Sequence, residues 1–292
     1  LACCGAPARW AGDIELHQEA LDRLSEAWEQ AGQPILVCAC PTCIKQLRAA
    51  LPQMEIISLY QALAESNTLD LPAVDNGESL ALCDPCAAKE EPRLRADVSA
   101  LLDRMRVQHH CITEDMRELP CCGFGGNIEG ACPELSEMMA EQRIQAAAAP
   151  YITYCANCRD RYAALGKPTL HILDLLAGLN DASRPAPHLA ERRANRAEAR
   201  ARLLGQEPAP LPAHPRLLMD KAILSAMDKQ LLTGEDVRRV IAYAESTGSK
   251  LEDESGLLIA HLDLGIPTVW VEYRAEGDAF RIERVYAHRI KL

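Results

Sequence analysis

The stretch YITYCANCRD (151–160) joins a short β-branched and aromatic run to a Cys-x-x-Cys pair, and PILVCACPTC (34–43) has the same order. The run predicts a buried strand, and a helix is predicted from the second cysteine onward. Such a strand–cysteine–helix order places sulfur at a helix N-terminus, where free N–H groups and the helix dipole stabilise a thiolate. We therefore predict thiolate sites at the carboxyl ends of two strands, formed by Cys40, Cys43, Cys155 and Cys158.

Each pair belongs to a longer unit that occurs twice. Cys-Cys-Gly stands at 3–5 and again at 121–123, and each copy is followed by a helical stretch, a strand and Cys-x-x-Cys. The Cys-Cys-Gly copies are 118 residues apart and the Cys-x-x-Cys copies are 115 residues apart. The three-residue difference is ordinary variation in loop length. We call the two copies the first and the second cysteine unit.

The second unit has a front end, SLALCDPCAAKEEPRLRADVSALLDRM (79–105), that the first unit lacks. It predicts a strand, a turn containing Cys83 and Cys86, and a helix. Cys83 precedes Cys121 by 38 residues. If the units are built alike, we expect the native polypeptide to extend at least about 40 residues before Leu1, with a strand and one more cysteine there.

Composition limits the class of function. The 292 residues carry a formal net charge of −11, which argues against nucleic acid as a general partner. No apolar run approaches the roughly 20 residues that a membrane helix needs, so we expect a chain that does not span a membrane. Thirteen cysteines, an odd number in a chain without a recognisable secretory signal, indicate metal or redox chemistry in a reducing compartment. We expect a cytoplasmic protein, with peripheral attachment to a membrane complex left open.

The cysteines end at Cys158, and the remainder of the chain has a different composition. We predict four segments: a partial first cysteine domain (1–75), a second one (76–180), a Pro/Arg-rich linker with a short helix (181–216), and a small α+β domain (217–292). The last segment predicts one amphipathic helix with an N-cap at Thr233 and three strands.

Three interpretations of the cysteines are open. A structural zinc ion needs four ligands, and the Cys-x-x-Cys pairs beginning at Cys83 and Cys155 satisfy that number, but zinc gives no reason for Cys-Cys-Gly in both units. A thioredoxin-like redox pair explains one Cys-x-x-Cys and no Cys-Cys-Gly. An iron–sulfur cluster held by more than four thiolates uses every repeated element, because adjacent cysteines can reach different irons and glycine lets the backbone approach closely.

The second unit resembles the cysteine-rich CCG domain on Cys83, Cys121-Cys122-Gly123 and Cys155-x-x-Cys158. That domain occurs in tandem in one of the subunits of heterodisulfide reductase and in related lactate, glycolate and glycerol-3-phosphate oxidoreductase subunits. The first unit resembles the rest of a preceding copy, and the resemblance covers about residues 1–180. It implies an α/β fold of two tandem Rossmann-like CCG domains, the first truncated at its N-terminus, with a small α+β domain after them.

The resemblance also implies the ligands and the cofactor. In the heterodisulfide reductase branch each domain binds a noncubane 4Fe-4S cluster through five cysteines, so two such clusters are expected here. The ligands implied for the second are Cys83, Cys121, Cys122, Cys155 and Cys158, and four of five for the first are Cys3, Cys4, Cys40 and Cys43. The other cysteines are expected to be small buried or neighbouring thiols, with Cys86 the strongest further ligand among Cys38, Cys86, Cys111 and Cys132.

The implied function is an iron–sulfur electron-transfer subunit of a heterodisulfide-reductase-like complex that reduces a disulfide or similar small acceptor. No GxGxxG follows a predicted strand and no ferredoxin-type cysteine run is present in this sequence. Electrons are therefore expected from partner subunits that carry iron–sulfur clusters or flavin. Two alternatives stay open, a zinc-stabilised structural or assembly subunit and a subunit that exchanges electrons with quinone. The sequence assigns no residue a catalytic role.

Overall fold

The computed structural model describes residues 3–74, 77–115, 118, 120–207, 215–265 and 267–288. The chain divides into two compact units, residues 1–186 and 187–292. Both cysteine units lie in the former. The finer domain boundaries predicted from the sequence stay a prediction.

The first cysteine unit alternates helices and parallel strands. Asp13 begins the second helix by accepting a hydrogen bond from the Leu16 backbone N–H at 2.9 Å. The spacing of Leu16, Leu21, Leu24 and Trp28 predicts one buried face on this helix. Leu21 and Trp28 are buried, whereas Leu16 lies in the first turn and is exposed. The elements are α1 (Ala6–Trp10), α2 (Ile14–Gln30), β1 (Leu36–Cys38), α3 (Pro41–Ala50), β2 (Ile56–Ser58) and α4 (Leu59–Glu65), with β1 parallel to β2.

The second cysteine unit builds a four-stranded parallel sheet in the order β4-β3-β5-β6. Its strands are three residues long, and β3 and β5 are buried throughout. This mixed α/β architecture with parallel sheets confirms the predicted fold class. The elements are β3 (Leu80–Leu82), α5 (Pro92–Arg104), β4 (His109–Cys111), α6 (Ile128–Ala131), α7 (Pro133–Ile144), β5 (Tyr151–Thr153), α8 (Ala156–Ala164), β6 (Thr169–His171) and α9 (Ile172–Leu176).

The apolar run TLHILDLLAGL (169–179) predicts one strand from its sequence, and that prediction is wrong beyond His171. A reciprocal capping box starts α9 at that residue, because His171 Nδ1 accepts from the Leu173 N–H and Asp174 accepts from the His171 N–H, both at 3.1 Å. The apolar run is therefore divided between a short strand and a helix, as it is at Ser58 in the first unit.

One continuous core joins the two cysteine units. Trp28 and Tyr60 of the first unit pack in the same buried cluster as Leu82, Ile152 and Tyr154 of the second. The Tyr60 and Tyr154 rings meet edge to face with centroids 5.8 Å apart. This shared core holds the two sets of cysteines in one body.

Residues 187–292 form an α+β unit with a five-stranded sheet in the order β7-β11-β10-β9-β8. The three predicted strands are present, but the sheet has two more short strands that lack a readable alternation. The predicted linker contains a helix that belongs to this unit. The elements are α10 (Leu189–Leu203), β7 (Arg216–Leu218), α11 (Lys221–Lys229), α12 (Gly234–Thr247), β8 (Leu251–Glu252), β9 (Leu258–Asp263), β10 (Thr268–Glu276) and β11 (Ala279–His288).

Helix α12 covers the apolar face of this sheet. The predicted N-cap at Thr233 is present, and Thr233 and Asp236 form a reciprocal capping box. Val240 and Ile241 pack in one buried cluster with Val269 and Val271 of β10. Nowhere in the described ranges is a helix both long and apolar enough to cross a membrane.

Candidate metal centres

The cysteines gather where parallel strands end. Cys83 follows β3, Cys111 ends β4, and Cys155 comes two residues after β5, so these three share the carboxyl edge of the four-stranded sheet. Cys40 has the same place after β1 in the first unit. All thirteen cysteines are free thiols. The sequence predicts this place for Cys40 and Cys155, and open α/β sheets bind their ligands at this edge.

Each Cys-x-x-Cys begins a helix. Cys40 is the N-cap of α3 and Cys155 is the N-cap of α8. The neighbouring Cys43 thiol and the backbone N–H groups of the first helical turn lower the pKa of Cys40 to about 6, against the opposing effect of burial. The Cys158 thiol and the backbone N–H groups of its helical turn lower the pKa of Cys155 in the same way. The helix N-termini thus favour thiolates at both positions.

The same thiol pair recurs in both units. The Cys43 Sγ lies 3.3 Å from the Cys4 Sγ, and the Cys158 Sγ lies 3.3 Å from the Cys122 Sγ. In each case the last cysteine of Cys-x-x-Cys meets the second cysteine of Cys-Cys-Gly. The hydrogen bond from Cys43 lowers the pKa of Cys4 to about 6 despite burial, and hydrogen bonding raises the pKa of Cys158.

The glycine of each Cys-Cys-Gly lets the chain pass close to a helix. Gly5 and Gly123 have φ of +74° and +78°. A Cβ at Gly123 would lie 2.4 Å from the Ser136 carbonyl oxygen, and one at Gly5 would lie 2.5 Å from His17 Nδ1. The Ser136 hydroxyl also donates to the Gly123 carbonyl at 2.7 Å. The glycines were expected to admit a cluster, and the close neighbour that the structure shows is a helix of the protein.

The front end of the second unit adds two thiols to its site. Cys83 is buried, with its Sγ 3.6 Å from the Tyr162 hydroxyl and 3.2 Å from Arg143 Nη2. The Cys86 Sγ lies 3.6 Å from the Cys121 Sγ. Hydrogen bonds from Cys122 and Cys86 lower the pKa of Cys121 to about 2. The described second site therefore contains six thiols, one more than the resemblance implies.

The first site is less complete in the described residues. Cys4, Cys40 and Cys43 come together, whereas Cys3 is exposed and its thiol makes no hydrogen bond in the part of the chain that is described. Cys38 lies near enough for the charges of Cys40 and Cys4 to raise its pKa, although burial is the larger cause. The thiol of Cys38 is thus a neighbour of this site.

The two sites lie beside each other. The charge of Cys40 acts to raise the pKa of Cys155. Tyr60 is fully buried and feels both sulfurs, since burial and then the charges of Cys155 and Cys40 raise its pKa. Its hydroxyl donates to the Tyr154 carbonyl at 3.2 Å, one residue before Cys155. Tyr60 is therefore a neutral donor positioned near both sites.

Sequence reasoning missed Arg143 and named Cys86 only as the strongest further ligand of the second site. Cys86 had a readable signal, because it completes a Cys-x-x-Cys with Cys83, yet it stood outside the predicted ligands. Arg143 had none. It is an arginine in a helix of mixed polarity, and only packing places it beside Cys83. Cys132, in contrast, is exposed, with its sulfur 3.9 Å from Glu134 Oε2.

The clustered thiols are consistent with an iron–sulfur group. Within the described ranges, no three His, Cys, Asp or Glu side chains are arranged as ligands of a single ion. The thiols form a chain of contacts, which suits a group with several separate metal atoms. Two buried donors of Arg143, Nε and Nη1, have no hydrogen-bond partner in the described part. A buried cation with unused donors favours an anion in the site.

The family described as a cysteine-rich domain, CCG, matches residues 1–48 and 80–160. Over 189 residues the chain is 22% identical to a Methanothermobacter marburgensis protein named as one of the subunits of fumarate reductase (CoM/CoB). That match covers 61% of this chain and 36% of the relative, so the chain spans little more than a third of the relative's length. No solved structure matches the chain. The two matched segments coincide with the two cysteine units, as the sequence resemblance predicts.

Proposed function

We propose, on the premise that residues 1–48 and 80–160 are CCG cysteine-rich segments, that this chain is an iron–sulfur electron-transfer subunit of a reductase complex. The observation that carries the proposal is the repeated thiol arrangement, with Cys43 against Cys4 and Cys158 against Cys122 at the same 3.3 Å. Two unrelated zinc sites would not need identical pairing of Cys-Cys-Gly with Cys-x-x-Cys in both units.

Each unit would hold one 4Fe-4S cluster, of the noncubane type in this proposal. When bound, such a cluster supplies one-electron transfer. In the second unit the ligands would be Cys83, Cys121, Cys122, Cys155 and Cys158. In the first unit they would be Cys3, Cys4, Cys40 and Cys43.

The protein's own groups prepare the thiolates and keep the sites dry. Backbone N–H groups at the start of α3 and α8 help to lower the pKa of Cys40 and Cys155, and so favour the ligating form of each sulfur. Cys83, Cys122 and Tyr60 are each no more than 5% exposed. Exclusion of water strengthens every charge interaction in the site, which is one of the ways a protein sets the potential of a redox group.

The acceptor that we propose is a disulfide or a similar small redox compound. The curated relative is named as part of a reductase, which supports a place for this chain in a larger redox complex. Electrons would be delivered by partner subunits that carry iron–sulfur clusters or flavin. Exchange of electrons with a quinone is the competing acceptor assignment, and a steady-state assay with small disulfides and quinone analogues separates the two.

Metal analysis tests the proposal against the zinc alternative. The native protein, purified without exposure to air, should contain iron and acid-labile sulfide in equal amounts with visible absorption from sulfur-to-iron charge transfer. A Cys132→Ser variant is the matched control, because that thiol is exposed and contacts Glu134 rather than another cysteine in the described part. Stoichiometric zinc without iron would refute the proposed function.

A further inference from the structure

Arg143 is a fully buried cation at the second site. Its guanidinium is 0% exposed, and Nη2 lies 3.2 Å from the Cys83 Sγ and 3.2 Å from the Asp84 carbonyl oxygen. Nε and Nη1 are buried and without a hydrogen-bond partner among the described residues. Arginine is charged at every physiological pH, so this site contains a permanent positive charge next to a thiol.

No carboxylate in the described part forms an ion pair with Arg143. The nearest acidic residue in sequence to Cys83, Asp84, is already satisfied. Its Oδ2 pairs with Arg95 Nη2 at 2.5 Å, and its Oδ1 accepts from the Tyr154 hydroxyl at 2.7 Å. A buried charge is costly unless an opposite charge pairs with it. Because no carboxylate pairs with Arg143 in the described part, its partner must be the group that the thiols bind.

The position of Arg143 on α7 shows that its burial is built into the fold. Ser136, Ala140 and Arg143 form the buried stripe of this helix at a spacing of four and three residues, whereas Met138 is 59% exposed. The Tyr151 hydroxyl donates to the Arg143 carbonyl at 2.9 Å and fixes the backbone there. An arginine thus occupies a place where an apolar side chain would ordinarily pack.

We infer that Arg143 is the counter-charge of the anionic group bound by the second set of thiols. This inference rests on the proposed function. A fixed positive charge stabilises the more negative, reduced form of that group more than the oxidised form, and so raises its reduction potential. Arg143 is a positioning residue here, since it donates a hydrogen bond to the Cys83 sulfur and adds a positive charge to the site without reacting itself.

The test is the reduction potential of the second site in the full-length protein, purified without air. Arg143→Met should lower the reduction equilibrium constant about tenfold, or about 59 mV for one electron. Arg143→Lys keeps the charge and should stay close to the wild type. Arg159→Met is the matched control, because Arg159 is 2% exposed but its donors reach Asp160 and the carbonyls of residues 169, 184 and 185.

If Arg143→Met holds iron with an unchanged potential, or if Arg143→Lys shifts it as far as Arg143→Met, the counter-charge is refuted. If Arg143→Met binds no iron, its urea unfolding midpoint is compared with that of the metal-free wild type. A midpoint equal to or above the wild-type value supports the inference, since the variant has lost a buried unpaired charge. A midpoint lowered as much as in metal-free Arg159→Met refutes it. A wild-type protein without iron would instead refute the proposed function.

Discussion

The Sγ atom of Cys158 lies 3.3 Å from the Sγ atom of Cys122, across 36 residues of chain. The equivalent pair in the first unit, Cys43 and Cys4, has the same separation across 39 residues. Each site is therefore made by the Cys-Cys-Gly and the Cys-x-x-Cys of one unit, and the two units do not exchange these thiols. This independence makes the sites separable by mutation.

Replacement of Cys122 by serine should remove the iron of the second site and spare the first. Cys122 is buried between the Cys121 and Cys158 thiols, and a hydroxyl is a poorer ligand for iron than a thiolate. If two equal clusters are present, iron and sulfide should fall to about half of the wild-type content. Complete loss of iron would contradict the separation of the sites, and so would iron that stays at the wild-type content.

Replacement of Cys86 by serine should alter the second site without emptying it. The Cys86 Sγ lies 3.6 Å from the Cys121 Sγ, while the five thiols named as ligands remain. We expect wild-type iron content with a changed electron paramagnetic resonance or absorption spectrum. Cys111→Ser is the control, since Cys111 lies on the neighbouring strand β4 and shares no hydrogen bond with another cysteine in the described part. An unchanged Cys86→Ser spectrum would place Cys86 outside the site.

Gly123→Ala should cost more stability than Gly166→Ala. Both glycines have positive φ, +78° and +79°, so both variants carry the strain of about 1–2 kcal/mol that this region imposes on alanine. Only at Gly123 would the new Cβ also meet backbone, 2.4 Å from the Ser136 carbonyl oxygen, whereas nothing lies within 4 Å at Gly166. Thermal unfolding of the two variants measures the difference. Equal losses would show that the helix moves aside freely.

Alkylation of Cys40 in the metal-free protein should follow a pKa of about 6. Below that pH the thiol is protonated and unreactive, and above it the thiolate reacts. In Cys43→Ala the neighbouring thiol that lowers this pKa is lost, so the pH of half-maximal alkylation should rise. Peptide mass spectrometry after iodoacetamide reports the rate. Cys38, whose pKa is raised by burial, is the internal control and should react only at higher pH. If the pH dependence of Cys40 alkylation is unchanged in Cys43→Ala, Cys43 is not the group that lowers the pKa of Cys40.

A chain that ends at Ala186 should keep its iron. All thirteen cysteines lie between residues 3 and 158, and residues 1–186 form a compact unit with its own core. Because residues 187–292 contain no cysteine, we expect them to serve attachment to partner subunits, so this truncation should weaken co-purification with the electron-donating subunits. Loss of iron on truncation would show that the C-terminal unit contributes to the sites.

Local structure was predictable because its causes lie within a few residues of one another. A β-branched run before Cys155 and a helical pattern after it are sufficient for β5 and α8, and Thr233 with Asp236 is sufficient for the start of α12. The prediction of a strand over 169–179 failed because the side-chain cap at His171 begins a helix there, and a hydropathy pattern does not reveal such a cap.

The sequence by itself determined that the chain has two cysteine units, each with thiols at the N-terminus of a helix that follows a strand. Only the tertiary structure decided that Cys86 meets Cys121, that Cys3 stays exposed and that Arg143 lies beside Cys83. Those contacts join residues 35 or more positions apart, or place a charge in a packed interior. They depend on how parallel strands align and on which face of a helix the core covers, and no spacing along the chain encodes either.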